Sequence, residues 1–213
     1  RIAQPVGAIP PYTGGFGFLF ICLPKWQSQI NNPSEALAKE GSGCYHKSVM
    51  RTYLLRLNLD IKGRNFKDQL RFKLAASSIK SLSKKNNKVV ILSHLGRPRG
   101  KDPRLSLKPF ARALTLSTGN KVEFLPYSNS YEVQLRKNKN KIKSAPGGSI
   151  FLLENLRFLS GETKNSRALA KDLATLGDRY INDDFATSHR AAASILGITE
   201  FIPSKAGNIL KKE

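Results

Sequence analysis

Cysteine, histidine and acidic side chains are all scarce in this chain, and each shortage closes off a class of protein. Two cysteines, Cys22 and Cys44, are too few for a disulfide framework and do not stand at metal-ligand spacing. The three histidines, His46, His94 and His189, are scattered and form no H-E-x-x-H set, so no structural metal is expected. Long apolar runs are missing too. Phe16 to Leu23 stops at Pro24, well short of the about 20 residues a membrane helix needs. Pro5, Pro10, Pro11, Gly14 and Gly15 break up the approach to that run and no A-x-A-like site follows, which argues against a signal peptide. A cytoplasmic protein with no membrane partner is the resulting expectation. No Gly-rich P-loop and no G-x-G-x-x-G opens after any strand-like run, so a nucleotide site is not visible.

What the chain has in excess is positive charge. Thirty-six Lys and Arg against 15 Asp and Glu give a formal net charge of +21, which favours an anionic partner, either a nucleic acid or a phosphorylated small molecule. The densest run, Arg136 to Lys143, has no aromatic residues between its charges and matches no nucleic-acid module. It reads as a solvated helix face, and no specific nucleic-acid partner is expected. The alternative is a non-catalytic basic paralogue that binds RNA or other polyanions through charge alone.

Residues 1–49 are rich in Pro and Gly and keep no period of 2 or 3.6 residues, so they read as an irregular or extraneous N-terminal segment. Met50, the chain's one methionine, is a candidate start of translation. Regular patterning begins just after it, and residues 50–213 read as one domain. Tyr53 to Leu59 predicts a strand, and Phe72, Ala75, Ala76, Ile79 and Leu82 then share one helical stripe, with Asp68 near that helix's start. Val89 to Leu92 is a second strand, apolar throughout as a strand covered on both faces must be. The next helix has Ser106 as its expected N-cap, Pro109 in its first turn and Gly119 past its end. Val122 to Leu125 follows as a strand, Tyr131 to Ile142 as a weaker helix, Gly147-Gly148 as a turn, and Ile150 to Leu153 as a fourth strand. Ser166 caps a helix carrying Leu169, Leu173 and Leu176 on one face, and Arg179 to Asn182 makes a fifth strand. The succession predicts an α/β fold: a three-layer, doubly wound, Rossmann-like parallel sheet with right-handed crossovers.

In such a sheet the residues just past each strand gather on one rim, where ligands bind. Past the first strand stand Asn58 and Asp60; past the second, Ser93, His94, Gly96 and Arg97; past the fourth, Asn155 and Arg157; past the fifth, Asp183, Thr187, His189 and Arg190. A single loop arginine is ordinarily solvated. Arg97, Arg157 and Arg190 arriving together repel one another unless an anion sits between them, and guanidinium's planar fork suits phosphate or carboxylate. A phosphorylated acid fits best.

From about Tyr53 to Glu213 a set of separated motifs stands in order: Leu55-Arg-Leu-Asn-Leu-Asp60; Arg71 with Ala75 and Ile79-Lys80; Ser93-His-Leu-Gly-Arg-Pro98; Leu152-Leu-Glu-Asn-Leu-Arg-Phe158; Gly161-Glu162; Lys164-Asn165; Asn182-Asp183 with Phe185 and Thr187; His189-Arg-Ala191; and Ala206-Gly207. In these motifs the chain resembles the N-terminal domain of phosphoglycerate kinase. The resemblance implies the N-terminal half of a two-domain kinase, and a reversible phosphoryl transfer between ATP and 3-phosphoglycerate that gives ADP and 1,3-bisphosphoglycerate in glycolysis. By the same resemblance the substrate phosphate is gripped by His94, Arg97, Arg157 and Arg190, and Asn58 and Asp60 contact the substrate. Arg71 is the expected catalytic residue, contacting the carboxylate and steadying the moving phosphoryl group. The partners implied are 3-phosphoglycerate or 1,3-bisphosphoglycerate and, in the full-length enzyme, Mg-ATP/ADP; a monomer is expected. The resemblance places the nucleotide-binding domain beyond Glu213, so the chain alone is expected to be inactive.

The chain also departs from the family pattern. Asn58 and Asp60 stand where the family usually has Asp and then Asn, Lys62 replaces a proline, Ala186 a glycine, Asp184 a small residue and Ala192 a histidine. The Ala186 change is expected to strain a turn suited to glycine.

Overall fold

The computed structural model describes residues 50–212, apart from 62, 64, 85 and 128–130; the expectations for residues 1–49 and for Lys62 lie outside the described residues. Six strands form one sheet in the order β3-β4-β2-β1-β5-β6: β1 (Thr52–Arg56), β2 (Lys88–Leu92), β3 (Val122–Leu125), β4 (Ile150–Leu153), β5 (Arg179–Asn182) and β6 (Ser204–Ala206). Every pairing is parallel, with Leu54 opposite both Val90 and Tyr180 at the centre. Among the described residues five α-helices connect or follow the strands: α1 (Leu70–Ser83), α2 (Lys108–Thr118), α3 (Tyr131–Ser144), α4 (Arg167–Ala174) and α5 (Asn208–Lys212).

Strand side chains alternate between the two faces, and each face has its own core. Leu55, Val89, Ile91, Ile150, Leu152 and Ile181 pack with Phe72 and Ile79 of α1 and Phe110 and Leu114 of α2. Leu54, Val90, Leu92, Phe151, Leu153 and Tyr180 pack on the other side with Leu135 and Ile142 of α3 and Leu169 and Leu173 of α4. All five residues of β2 are buried, which is why Val89–Leu92 read as continuously apolar. The winding reverses around β1: the chain runs outward from it through β2, then returns across it to β5. The C-terminal end of β1 is thus the switch point at which such sheets open a crevice.

Several local expectations shift by small amounts. The first strand ends at Arg56, before Leu59, because the backbone after Arg56 turns out of the sheet; Leu57 still donates to the Leu92 carbonyl at 3.0 Å. The N-cap position of α2 is Leu107, one residue later than expected, although Ser106 Oγ does accept from the Lys108 N–H at 3.2 Å. Asp68 lies in a short 3-10 turn, Phe66–Asp68, ahead of α1, and α3 runs on to Ser144. Leu176 lies past the end of α4 yet stays in the core. Gly119 closes α2 in the left-handed conformation and Ser166 Oγ accepts from Leu169 N–H at the start of α4, both as the sequence suggests. The sixth strand has no signature in the sequence, since Ser204-Lys-Ala206 is three residues long and not apolar.

One buried cation is purely architectural. Lys88, on β2, is 3% exposed and donates through Nζ to the carbonyls of Ile142 and Lys143 at 2.9 and 2.7 Å, at the C-terminal end of α3. A cation there satisfies carbonyls that the helix cannot and complements its dipole. Lys88→Met should lower the stability of the chain to urea unfolding by about 1.5–3 kcal/mol, the worth of charged hydrogen bonds to one buried and one part-buried carbonyl.

Candidate functional site

The exits of β1 and β2 are tied together before any ligand group is placed. Ser93, fully buried, donates through Oγ to the Leu57 carbonyl at 2.8 Å and accepts from the Leu59 N–H at 3.0 Å. Asn58 and Asp60 therefore leave the sheet in a fixed course. Asp60 N–H donates to Asn58 Oδ1, and Asp60 Oδ1 accepts from the Gly96 N–H, each at 3.0 Å. Gly96 has φ +64°, and a Cβ there would lie 2.9 Å from a Leu105 methyl, so the turn after β2 admits glycine alone without strain.

The exit of β4 is fixed by Glu154 and Asn155. The Asn155 amide donates to the carbonyls of Leu95 and Leu105 and accepts from the N–H groups of Leu95 and Arg157, while Glu154 holds Ser106 and Leu107. Asn155 is wholly consumed by this clamp and serves the rim by placing Arg157. Arg157 is half-buried and donates to the Gly96 carbonyl. Its pKa is lowered, chiefly by burial and next by the charge of Arg190.

Past β5, Asp183 is also structural. It accepts from Ser78 Oγ and from the N–H groups of Ile209 and Leu210, tying α1 and α5 to the strand end. A Cβ on Gly207 would lie 2.2 Å from Asp183 Oδ1, which explains the glycine there. Ala186 corrects an expectation: it lies within the 3-10 turn Phe185–Thr187 and is not among the residues with positive φ, so no glycine-only conformation is strained. Ala192 is buried; nothing in the structure explains its replacement of a histidine.

The centre of the rim is His94. It is 2% exposed, and Arg56 Nη2 donates to its Nδ1 at 2.8 Å. Its pKa falls from 6.5 to about 2, first by burial, then by the charges of Arg56, Arg157, Arg190 and Arg71. The ring is therefore neutral, and with Nδ1 accepting, its hydrogen sits on Nε2. The four cations that bear on one imidazole come from β1, α1, the β4 exit and the β5 exit. Arg71 is exposed and anchored by a bond from Nη1 to the Asp60 carbonyl at 3.1 Å; Arg190 is exposed, with Nε 3.4 Å from His189 Nε2. Arg97 is exposed on the β2 turn and is not among the charges acting on His94. Asn58 and Arg71 also border a cleft of about 290 Å³ whose apolar wall includes Leu70, Leu74 and Phe185.

Sequence reasoning assigned Arg56 no role at the rim. Arg56 is 2% exposed and forms an ion pair with Asp184 Oδ2 at 3.1 Å; its Nε donates to Ser194 Oγ at 3.2 Å. Ser194 Oγ donates in turn to Glu162 Oε1 at 2.5 Å. A charged residue between two leucines on a central strand was the available signal, because an unpaired guanidinium is not tolerated there.

Residues 48–213 match the family model described as phosphoglycerate kinase. The chain belongs to the phosphoglycerate kinase family. It is 42% identical over 167 residues to phosphoglycerate kinase from Pseudothermotoga lettingae, covering 76% of this chain and 41% of that protein. To the cytosolic phosphoglycerate kinase of Triticum aestivum it is 43% identical over 148 residues, covering 68% of this chain and 35% of that protein. The solved phosphoglycerate kinase from Coxiella burnetii superposes with a TM-score of 0.65 at 31% identity, over 76% of this chain and 40% of that one. The chain thus spans about two fifths of the length of these phosphoglycerate kinases. Among the described residues no helix is long and apolar enough to cross a membrane. No group of three or more His, Cys, Asp or Glu residues that could hold a metal occurs among them either.

Proposed function

We propose that this chain is the acid-substrate part of a phosphoglycerate kinase, binding 3-phosphoglycerate or 1,3-bisphosphoglycerate on the rim around His94. The observation that carries the reading is the convergence of Arg71, Arg157 and Arg190 on that buried, neutral histidine. Cations packed around a group that cannot itself be charged form an anion site, because a bound phosphate relieves their mutual repulsion. Arg157, Arg190 and Arg97, with His94 as a neutral donor, take the phosphate. Asn58 and Asp60 face the glycerate, and Arg71 reaches the carboxylate and offsets charge on the transferring phosphoryl group. Phosphoryl transfer asks chiefly for positioning and charge neutralisation, which this rim can supply without covalent help.

By likeness to the family, Mg-ATP/ADP is the second substrate of the whole kinase, and the whole is read as a cytoplasmic monomer.

Titration calorimetry of the 213-residue chain with 3-phosphoglycerate should give a saturable one-to-one isotherm. Arg157→Ala should weaken it roughly thirtyfold, the equivalent of about 2 kcal/mol for a charge-assisted bond. No heat from the unaltered chain, with no NMR shift changes at Arg71, Arg157 and Arg190, would overturn the assignment.

A further inference from the structure

Two of the chain's departures from its family's pattern, Asn58 and Asp184, are in contact. Asn58 Nδ2 donates to Asp184 Oδ1 at 3.0 Å, and the other carboxylate oxygen faces Arg56 Nη1 at 3.1 Å. Asp184 is 1% exposed, so this is a buried charge with a defined set of partners. The remaining partners are the Thr187 N–H and hydroxyl, which tie the carboxylate to the turn leading to His189 and Arg190.

We propose that Asp184 is the positioning residue of the anion site, holding Asn58, Arg56 and through Arg56 the tautomer of His94. The proposal rests on the rim being the phosphoglycerate site. Fixing the Asn58 amide with Nδ2 toward Asp184 leaves Oδ1 toward the Asp60 N–H, so Asn58 cannot flip without losing both bonds. Holding the Arg56 fork with Nη1 toward Asp184 and the Leu57 carbonyl sets Nη2 against His94 Nδ1. An arginine has no lone pair to accept with, so this contact is compatible with only one ring form, protonated at Nε2. His94 then presents a neutral N–H that does not titrate while the site is in use. The charged groups around the ring are Arg56 on β1, Arg71 on α1, Arg157 past β4 and Arg190 past β5. Asp184 reaches the ring through Arg56, and Glu162 through Ser194 and Arg56. One buried acid therefore serves the exits of β1, β2 and β5 together.

This role is separable from a general electrostatic one, because the two predict opposite signs. A negative charge beside an anion site weakens anion binding by Coulomb repulsion, so if charge were all that mattered, Asp184→Asn would bind 3-phosphoglycerate more tightly. A positioning role predicts binding at least tenfold weaker. It also predicts that Asn58→Asp combined with Asp184→Asn, which exchanges amide and carboxylate across the same contact, recovers most of the loss. The unaltered chain gives a reading independent of how the variants fold. A long-range ¹H–¹⁵N spectrum should find His94 with a bare Nδ1 and a protonated Nε2 from about pH 5 to 8. Equal or tighter binding by Asp184→Asn, or His94 protonated at Nδ1 in the unaltered chain, would falsify the proposal while leaving the substrate assignment standing. Absence of 3-phosphoglycerate binding by the unaltered chain would instead sink that assignment, and the tautomer would still be readable.

Discussion

Arg56→Leu is expected to destabilise the chain by about 3–5 kcal/mol, the range for removing one partner of a buried ion pair. Arg56 is 2% exposed and Asp184 1%, and their contact is 3.1 Å. Leucine cannot reach the guanidinium's partners, so the main penalty comes from the polar groups it abandons. Asp184 would keep donors from Asn58 and Thr187, which should hold the loss toward the lower end of the range. Ser194, the Leu57 carbonyl and His94 Nδ1 would each lose a donor as well. Urea unfolding measures the change directly. Adding Asp184→Asn to Arg56→Leu should cost less than the sum of the two single changes, because the second substitution removes the charge the first leaves stranded. Strict additivity would mean that the pair is not coupled as the geometry implies.

Acid should unfold the chain through His94. An unfolded histidine takes its proton near 6.5, whereas the folded ring takes it near about 2, held there first by burial and then by the surrounding arginines. Above about pH 6.5 the ring is neutral in both states and the stability contribution is fully present. Below that the unfolded chain binds more protons, so stability falls as pH falls, at about 1.4 kcal/mol per unit. By about pH 4.5 this one group should have removed about 2–3 kcal/mol. Carboxylates contribute acid sensitivity of their own, so the test is a difference. His94→Gln keeps a neutral N–H donor and cannot protonate, and its stability profile should lie flatter by about one proton between about pH 4.5 and 6.5. Parallel profiles for the two proteins would show that His94 charges freely in the folded state.

Much of the fold could be read from the chain because each strand and helix obeys a local rule. Val89 to Leu92 is apolar at every position because β2 is covered on both faces, and the stripe from Phe72 to Ile79 faces the sheet at helical period. Small displacements of ends, such as β1 stopping at Arg56 or Leu107 taking the N-cap position expected for Ser106, come from tertiary hydrogen bonds that no local pattern encodes. The strand Ser204–Ala206 exists only because the edge of β5 offers backbone partners, Tyr180, Ile181 and Asn182 pairing with Ser204, Lys205 and Ala206. The rim was legible for the same reason as the strands. Parallel order sends every strand end to one side, so Asn58, His94, Arg157 and Arg190 could be grouped before any distance was known.

Periodicity and residue chemistry are local properties, so the alternation of strand and helix, the excess of positive charge and the arginines at successive strand ends could all be read along the chain. What those residues do to one another was set by the assembled fold. It made Arg56 a buried brace, turned Asn155 and Asp183 into clamps, and left Arg97 apart from the charges on His94. It also brought Asp184 against Asn58, 126 positions away in the chain. Burial and partnership set the charge state of His94 and the orientation of Asn58, and both arise only when separate strand ends meet in space.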